Sequence, residues 1–248
     1  MYIFVTVQEK EIYYADGPSG RTKARLEMAS GERCLIVPYR EFDLAVVRDM
    51  KPRAIVMSGF GGHFQSRKVE WFLGIDDVLH KADLPILCLC GSHQVLGFSF
   101  NRDLRRVKRL RDEPIRRIKP NENFPRKAQG DPKFDLSEFF VAEGFFPITR
   151  IKPDPLFRGL PKRMIMRCSH YCEVKKLPPC FELLASSAHS RIEAMRHQDR
   201  PLYGTQFHPE AYEAPFFHGR RLLENFAKIV QDFWVTKDSG RAFQRKGS

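Results

Sequence analysis

Short, uninterrupted apolar runs separated by amphipathic segments restrict the fold of this chain more than any other feature. The runs AIVM (54–57) and PILCLC (85–90) show no alternation of polar and apolar residues. Strands of this kind must be covered on both faces, which is typical of parallel sheets flanked by helices. Between them, residues 69–81 place apolar side chains at helical spacing. The pattern therefore predicts an α/β fold with an open, mostly parallel sheet and helices on both faces.

The same alternation continues along most of the chain. It predicts further strands at 2–7, 33–38, 164–166, 181–185, 191–196 and 202–207, and helices at 41–50, from Gly91 onward and at about 216–234. Residues 101–140 break the pattern, because four prolines interrupt any long helix there. We therefore expect a single domain over 1–234 with a surface insertion at about 101–140, followed by a mobile polar tail over 235–248.

Composition restricts the partners rather than the fold. The 248 residues include 42 Lys and Arg against 30 Asp and Glu, a formal charge of +12 that favours anionic partners. No apolar run approaches the ~18 residues of a membrane helix, and no basic region of a signal peptide precedes the first strand. The six cysteines form no CxxC pair, which is typical of reduced thiols in a cytoplasmic protein. A zinc site from Cys168, His170 and Cys172 fits no common spacing, so neither metal nor cofactor is expected.

Cys90 stands where chemistry is expected in such a sheet. It ends the strand at 85–90 and is followed by the small residues Gly91 and Ser92. Small neighbours permit the sharp strand-to-helix turn that lifts a nucleophile out of a sheet. The start of the following helix would favour a thiolate and offer the Gly91 N–H to an oxyanion. An inert buried thiol is the alternative interpretation.

The segment GTQFHPE (204–210) contains a candidate base. His208 follows a strand and Glu210 lies two positions on, so in an extended segment the two side chains point the same way. The carboxylate could fix the imidazole tautomer, leaving the other ring nitrogen to accept a proton from a thiol. Alone, a His-x-Glu pair is weak evidence, because such pairs are common on surfaces.

Taken together, the two segments resemble the class I glutamine amidotransferases. PILCLCGSHQ (85–94) is similar to that family's nucleophile segment, and YGTQFHPE (203–210) is similar to its His-Pro-Glu segment. Further similar segments occur in the family's order: MSGFGG (57–62), DPLFRGLP (154–161), SHYCEVKKLP (169–178) and LLASSAH (183–189). The resemblance covers about residues 54–234 apart from the insertion, and it implies a flavodoxin-like sheet.

The activity that the resemblance implies is that of a glutaminase. Cys90 would form a thioester with the side chain of glutamine, His208 would carry the proton to departing ammonia, and Glu210 would orient His208. The resemblance also implies an oxyanion site and a glutamine pocket, formed by Gly59, Phe60, Gly91, Gln94, Ser169 and His170.

The chain departs from the family pattern at several positions. Cys88 and Ser92 stand where the family has glycines around the nucleophile, and Phe60 stands at the second glycine of the loop. Ala142 stands where the family often has a Glu that contacts the amino group of glutamine, and Glu143 lies one residue later. Two explanations stay open: a different γ-glutamyl amide occupies the pocket, or the changes are sequence drift without functional effect.

Ammonia in this family usually passes to a synthetase, and the chain has no room for one, so we expect a separate partner subunit. The basic segment Arg102–Lys127 holds eleven Lys and Arg against four Asp and Glu, and a helix would align Arg102, Arg105, Arg106 and Arg109 on one face. The segment is a candidate docking surface for an acidic partner subunit or for a phosphorylated acceptor. A solvated basic face without a ligand is the alternative interpretation.

Two other functions stay open from the sequence. One is a stand-alone hydrolase of γ-glutamyl amides or peptides that uses the same triad. The other is a non-enzymatic regulatory or binding module, against which the intact triad argues. No nucleic-acid-binding motif occurs, so nucleic acid is not expected as a partner.

Overall fold

Nine strands form one mixed sheet in the computed structural model, which describes residues 1–8, 17–122, 136 and 138–245, with side chains to 239. The strands are β1 (Tyr2–Thr6), β2 (Cys34–Pro38), β3 (Ala54–Met57), β4 (Ile86–Leu89), β5 (Ala142–Arg150), β6 (Arg163–His170), β7 (Phe181–Ser186), β8 (Ala194–His197) and β9 (Leu202–Thr205). The helices are α1 (Pro18–Ser30), α2 (Leu44–Met50), α3 (Leu73–Lys81), α4 (Gly91–Asn101) and α5 (His218–Arg245).

The two halves of the sheet differ in strand direction. The order is β2-β1-β3-β4-β9-β8-β7-β5-β6, and the five strands from β2 to β9 run parallel. The other four strands extend the sheet with antiparallel pairs. The predicted α/β fold is confirmed, and its parallel half holds the apolar runs that predicted it. Because β4 and β9 are neighbours, their carboxyl ends meet at one edge of the sheet.

Helices cover both faces of the sheet, as predicted. On one face, Leu26 of α1 and Leu222 and Phe226 of α5 share a core with the strands. On the other face, Val78 of α3 and Val95 of α4 belong to a second core. The sheet therefore separates two apolar layers, which explains why its parallel strands are apolar on both sides.

Two elements, α1 and β5, were not predicted. In α1 only Ser19, Thr22 and Leu26 are buried, so the helix lacks the apolar stripe that identifies an amphipathic helix. Strand β5 contains Gly144 and Pro147, residues that are uncommon inside strands, and its formation depends on pairing with β6.

The predicted helix of aligned arginines after residue 101 is wrong. Helix α4 ends at Asn101, and Arg102 has an extended backbone. Asp103 then accepts a hydrogen bond from the Arg105 backbone N–H and begins a short 3-10 turn, while Leu104 is buried. The chain therefore turns, because a buried leucine and a capping aspartate stabilise a new direction.

Several arginines of this segment have acidic partners within the chain. The pairs are Arg102–Glu113, Arg105–Asp76, Arg105–Asp77, Arg106–Asp103, Arg116–Glu122 and Arg117–Glu138. Much of the local charge is thus balanced internally. Arg126 and Lys127 lie outside the described residues.

The last helix extends beyond its predicted end near Trp234 and reaches Arg245. Trp234 donates its indole N–H to the Arg53 carbonyl at 2.8 Å, and Lys237 pairs with Asp83 at 2.7 Å. These contacts fix the part of α5 that follows its apolar stripe to the segments just before β3 and β4. No helix of the described residues is long and apolar enough to cross a membrane.

Candidate functional site

Cys90 occupies the sharp turn between β4 and α4. Its backbone has φ 49° and ψ −105°, a conformation that costs free energy in a residue other than glycine. The turn is held by the Cys90 backbone N–H, which donates to Thr205 O at 2.7 Å. A Cβ at position 91 would lie 2.3 Å from the Phe60 backbone nitrogen, so only glycine fits there. The close approach brings the backbone of the 58–62 loop against the start of α4.

The two departures beside Cys90 are compatible with this turn. Cys88 is fully buried on β4, and burial raises the pKa of its thiol, so it is an unreactive core residue. The Ser92 hydroxyl donates to the Ser58 carbonyl and so ties the helix to the neighbouring loop. Small side chains at both positions leave the elbow intact.

His208 follows β9 and lies beside Cys90, with Glu210 behind it. His208 Nδ1 and Glu210 Oε1 are 2.7 Å apart, and the His208 backbone N–H donates to Arg167 O at 2.8 Å. Burial lowers the pKa of His208, but Glu210 and the Cys90 thiol raise it by more, and the net pKa lies well above the usual value. The imidazole can therefore hold a proton taken from the thiol. The three residues predicted from the sequence lie together.

Gly59 brings the 58–62 loop against these side chains. A Cβ at this position would lie 3.2 Å from both Cys90 Cβ and His208 Cε1. The side chain of Phe60 packs against Tyr39 and Phe72, with ring centroids 5.5 and 5.3 Å apart. The aromatic residue thus anchors the loop, whose backbone nitrogen at Phe60 lies close to Gly91.

A small cavity of about 30 Å³ opens beside Cys90. It is bordered by Phe60, Gln94, Ser169 and His170, four of the residues expected in the glutamine pocket.

Gln94 and His170 form hydrogen bonds with other residues around the cavity. Gln94 donates its amide N–H groups to Cys172 O at 3.1 Å and to Gln206 Oε1 at 3.2 Å. His170 Nδ1 lies 2.9 Å from Cys172 O, and burial lowers the pKa of His170 to about 4. His170 is therefore neutral at physiological pH and carries its proton on Nδ1, where the carbonyl accepts it.

Sequence reasoning missed three residues of the site. Gln206 donates to the Cys90 sulfur at 3.6 Å, although it lies within the segment that identified His208. Asp112 and Tyr171 border the cavity. Tyr171 follows the Ser-His pair in the sequence, whereas Asp112 lies in the insertion and had no local signal.

A larger cleft of about 710 Å³ also reaches Cys90. Four arginines border it: Arg21, Arg25, Arg67 and Arg167. Among the described residues the only acidic side chain that lines it is Glu210. The thiol therefore lies between a small cavity and a wide basic cleft.

The zinc set considered from the sequence is not the one that the fold assembles. Ligand atoms of Cys168, His170 and Glu193 lie within 4.8 Å of one another, and all three residues are buried. His170 Nε2 and Glu193 Oε2 have no hydrogen-bond partner. The group could hold a metal ion, but Cys172 is not part of it.

Comparison with known proteins gives the same family as the sequence motifs. The model of the family "Glutamine amidotransferase class-I" matches residues 24–230. The glutamine-hydrolyzing GMP synthase subunit of Pyrococcus furiosus is 32% identical over 183 residues, which are 74% of this chain and 78% of that protein. The protein of the same name from Methanothermobacter thermautotrophicus is 51% identical over 155 residues, 62% and 66% of the two chains.

A solved structure has the same fold. A Thermoplasma acidophilum protein described as a subunit of GMP synthase superposes with a TM-score of 0.69 at 20% identity, covering 96% of this chain and 98% of that one.

Proposed function

This chain belongs to the class I glutamine amidotransferase family of enzymes, and from that premise we propose that it hydrolyses glutamine and supplies the ammonia to a separate synthetase subunit. The observation that carries the proposal is the assembly of Cys90, His208 and Glu210 around the elbow. Three side chains from two distant segments meet at the carboxyl ends of β4 and β9, where ligands gather in such sheets. The non-enzymatic alternative has no support from this arrangement.

In the proposed reaction, the Cys90 sulfur attacks the side-chain amide carbon of glutamine. His208 takes the thiol proton and transfers it to the departing nitrogen, which leaves as ammonia. A water molecule, deprotonated by His208, then attacks the thioester and releases glutamate and the thiol. Glu210 holds the imidazole and stabilises its protonated form.

The backbone around the elbow would stabilise the negative oxygen of each tetrahedral intermediate. The N–H of Gly91 lies at the start of α4, where the helix dipole favours negative charge. The N–H groups of Gly59 and Phe60 belong to the loop that presses against it. Donors fixed before the reaction contribute because they need not reorient in the transition state.

The names of the relatives support a proposal for the fate of the ammonia. Since those relatives are glutamine-hydrolysing subunits of GMP synthase, we propose that the partner of this chain uses the ammonia to make GMP. We also propose a cytoplasmic location, because all six cysteines are free thiols.

The basic segment Arg102–Lys127 is the proposed docking surface for the partner. It begins at the far end of α4 and returns to the cavity at Asp112, so a bound subunit could influence the site. Lys108 and Arg109 are exposed, and neither forms an ion pair with any residue that the structure describes. These two side chains are available to an acidic surface.

The wide basic cleft supports a second candidate function. Ammonia needs far less than 710 Å³, and the cleft could hold the amine part of a larger γ-glutamyl amide. A stand-alone hydrolase of such amides would use the same triad.

The proposal is tested by measuring glutamate release from glutamine by wild-type chain and by Cys90→Ala, with Cys88→Ala as the matched control. We expect Cys90→Ala to lose several orders of magnitude in rate and to form no thioester, while Cys88→Ala retains activity. Retained turnover in Cys90→Ala would refute the assignment of the nucleophile. A wild-type chain that prefers bulkier γ-glutamyl amides to glutamine would favour the second candidate.

A further inference from the structure

Glutamine presents an α-ammonium group as well as its side-chain amide, so a pocket that selects glutamine needs an anionic partner for that group. Resemblance to the family would place this carboxylate at Ala142, which has none. Glu143, one residue on, is about half exposed and is paired with Arg167. Neither Ala142 nor Glu143 is among the described residues that border the cavity beside Cys90.

Asp112 is the one acidic side chain among the described residues that border this cavity. It arrives from the insertion and is only 7% exposed. A carboxylate buried to this extent costs free energy unless charged or hydrogen-bonding partners compensate it. Its position on the wall that also holds Cys90 makes it the candidate partner for a bound cation.

Fixed hydrogen bonds hold the Asp112 carboxylate in place. The Phe64 backbone N–H donates to Oδ1 at 2.7 Å, and Oδ2 contacts His63 Nδ1 and accepts from the Tyr171 hydroxyl. Burial raises the pKa of Tyr171, which keeps its hydroxyl a donor. A carboxylate has about four acceptor positions, so these contacts leave one for a further donor.

We propose that Asp112 binds the α-ammonium group of the γ-glutamyl substrate and thereby selects glutamine over amides that lack this group. The inference rests on the proposed function, because it assigns the glutamyl part of the substrate to the small cavity. The insertion then has a role in substrate recognition, because it supplies the carboxylate that borders this cavity, whereas Glu143 of β5 is not among the residues that border it.

The test compares two substrates and two proteins. Glutamine and its analogue without the amino group, 4-carbamoylbutanoate, are assayed for amide hydrolysis with wild-type chain and with Asp112→Asn. A hydrogen bond to a charged group contributes about 10- to 100-fold in binding, so we expect the kcat/KM of glutamine to fall by that factor, mainly through KM. The value for the analogue should change by less than about two-fold.

The control is Glu113→Gln, which removes one negative charge from the adjacent residue, whose carboxylate pairs with Arg102 outside this cavity. We expect it to leave the ratio between the two substrates unchanged. If Asp112→Asn lowers the kcat/KM of both substrates by the same factor, Asp112 only supports the loop, and the proposal is overturned.

Calorimetry with Cys90→Ala separates this inference from the proposed function. If wild-type chain hydrolyses no glutamine, the proposed function fails, and ligand affinity then decides the role of Asp112. Tighter binding of glutamine than of the analogue by Cys90→Ala would support the inference if this difference disappears in the double variant that also carries Asp112→Asn. Equal affinity for both ligands, or no binding of glutamine, would overturn it.

Discussion

Gly59→Ala adds a single methyl group between the proposed nucleophile and its base. The new carbon would lie 3.2 Å from Cys90 Cβ and His208 Cε1 and 3.6 Å from the Cys90 sulfur. Non-bonded carbon atoms normally lie about 3.5–4.0 Å apart. The side chains of Cys90 and His208 must therefore each move away from the new carbon by a few tenths of an ångström. A displacement of about 1 Å at a reacting centre can cost about 100-fold, and the smaller shift here predicts a fall in kcat of about 10-fold.

Stability should not follow activity in this variant. Replacing glycine by alanine stabilises a protein by about 0.4–1 kcal/mol, because it lowers the conformational entropy of the unfolded chain. This gain offsets much of the destabilisation caused by steric crowding around the new methyl group. Gly61→Ala, two residues along the same loop, is the matched control, because a Cβ there meets no atom within 4 Å. Glutamate release and urea unfolding are measured for both variants. Equal activity of the two variants would refute the packing argument for Gly59.

Three further predictions concern the triad, a buried carboxyl and the docking surface. Glu210→Gln should lower kcat roughly 100-fold, because the amide cannot stabilise protonated His208. This loss is smaller than the one expected for Cys90→Ala, and an unchanged kcat would remove Glu210 from the triad. Burial raises the pKa of Glu193 to about 7, so between about pH 4.5 and 7 the folded chain keeps a proton that the unfolded chain loses. The contribution of Glu193 to the free energy of unfolding should therefore fall with rising pH by up to about 3 kcal/mol. It is measured as the difference between wild-type chain and Glu193→Gln in urea unfolding at pH 5 and at pH 8, and a difference that does not change with pH would refute the raised pKa. The double variant Lys108→Glu/Arg109→Glu should bind the synthetase partner about 10-fold more weakly at low salt. Glutamate release by the chain alone should be unchanged. An unaltered affinity for the partner would exclude this surface as the docking site.

The sequence was sufficient for the parallel half of the sheet and for the proposed triad. Strand β3 was predicted with its observed ends, and β4 to within one residue at each end, because uninterrupted apolar runs record burial on both faces. Cys90 directly follows β4, and His208 lies three residues after the end of β9, so position along the chain was enough to place them at the same edge of the sheet.

Elements without a local pattern required the tertiary structure. Helix α1 has no apolar stripe, because polar Ser19 and Thr22 take up much of its buried face. The arginines after α4 matched a helical spacing, but the burial of Leu104 turned the chain away from that helix. In both cases packing against distant residues outweighed the local preference.

The sequence by itself determined which residues could perform the chemistry, since each motif lies within a few consecutive positions of a strand end. Only the tertiary structure decided what surrounds them. Asp112 reaches the cavity through hydrogen bonds to Phe64, 48 positions away, and to Tyr171, 59 positions away. Such contacts leave no periodic trace in the chain, because the groups that fix the side chain become its neighbours only when the fold closes.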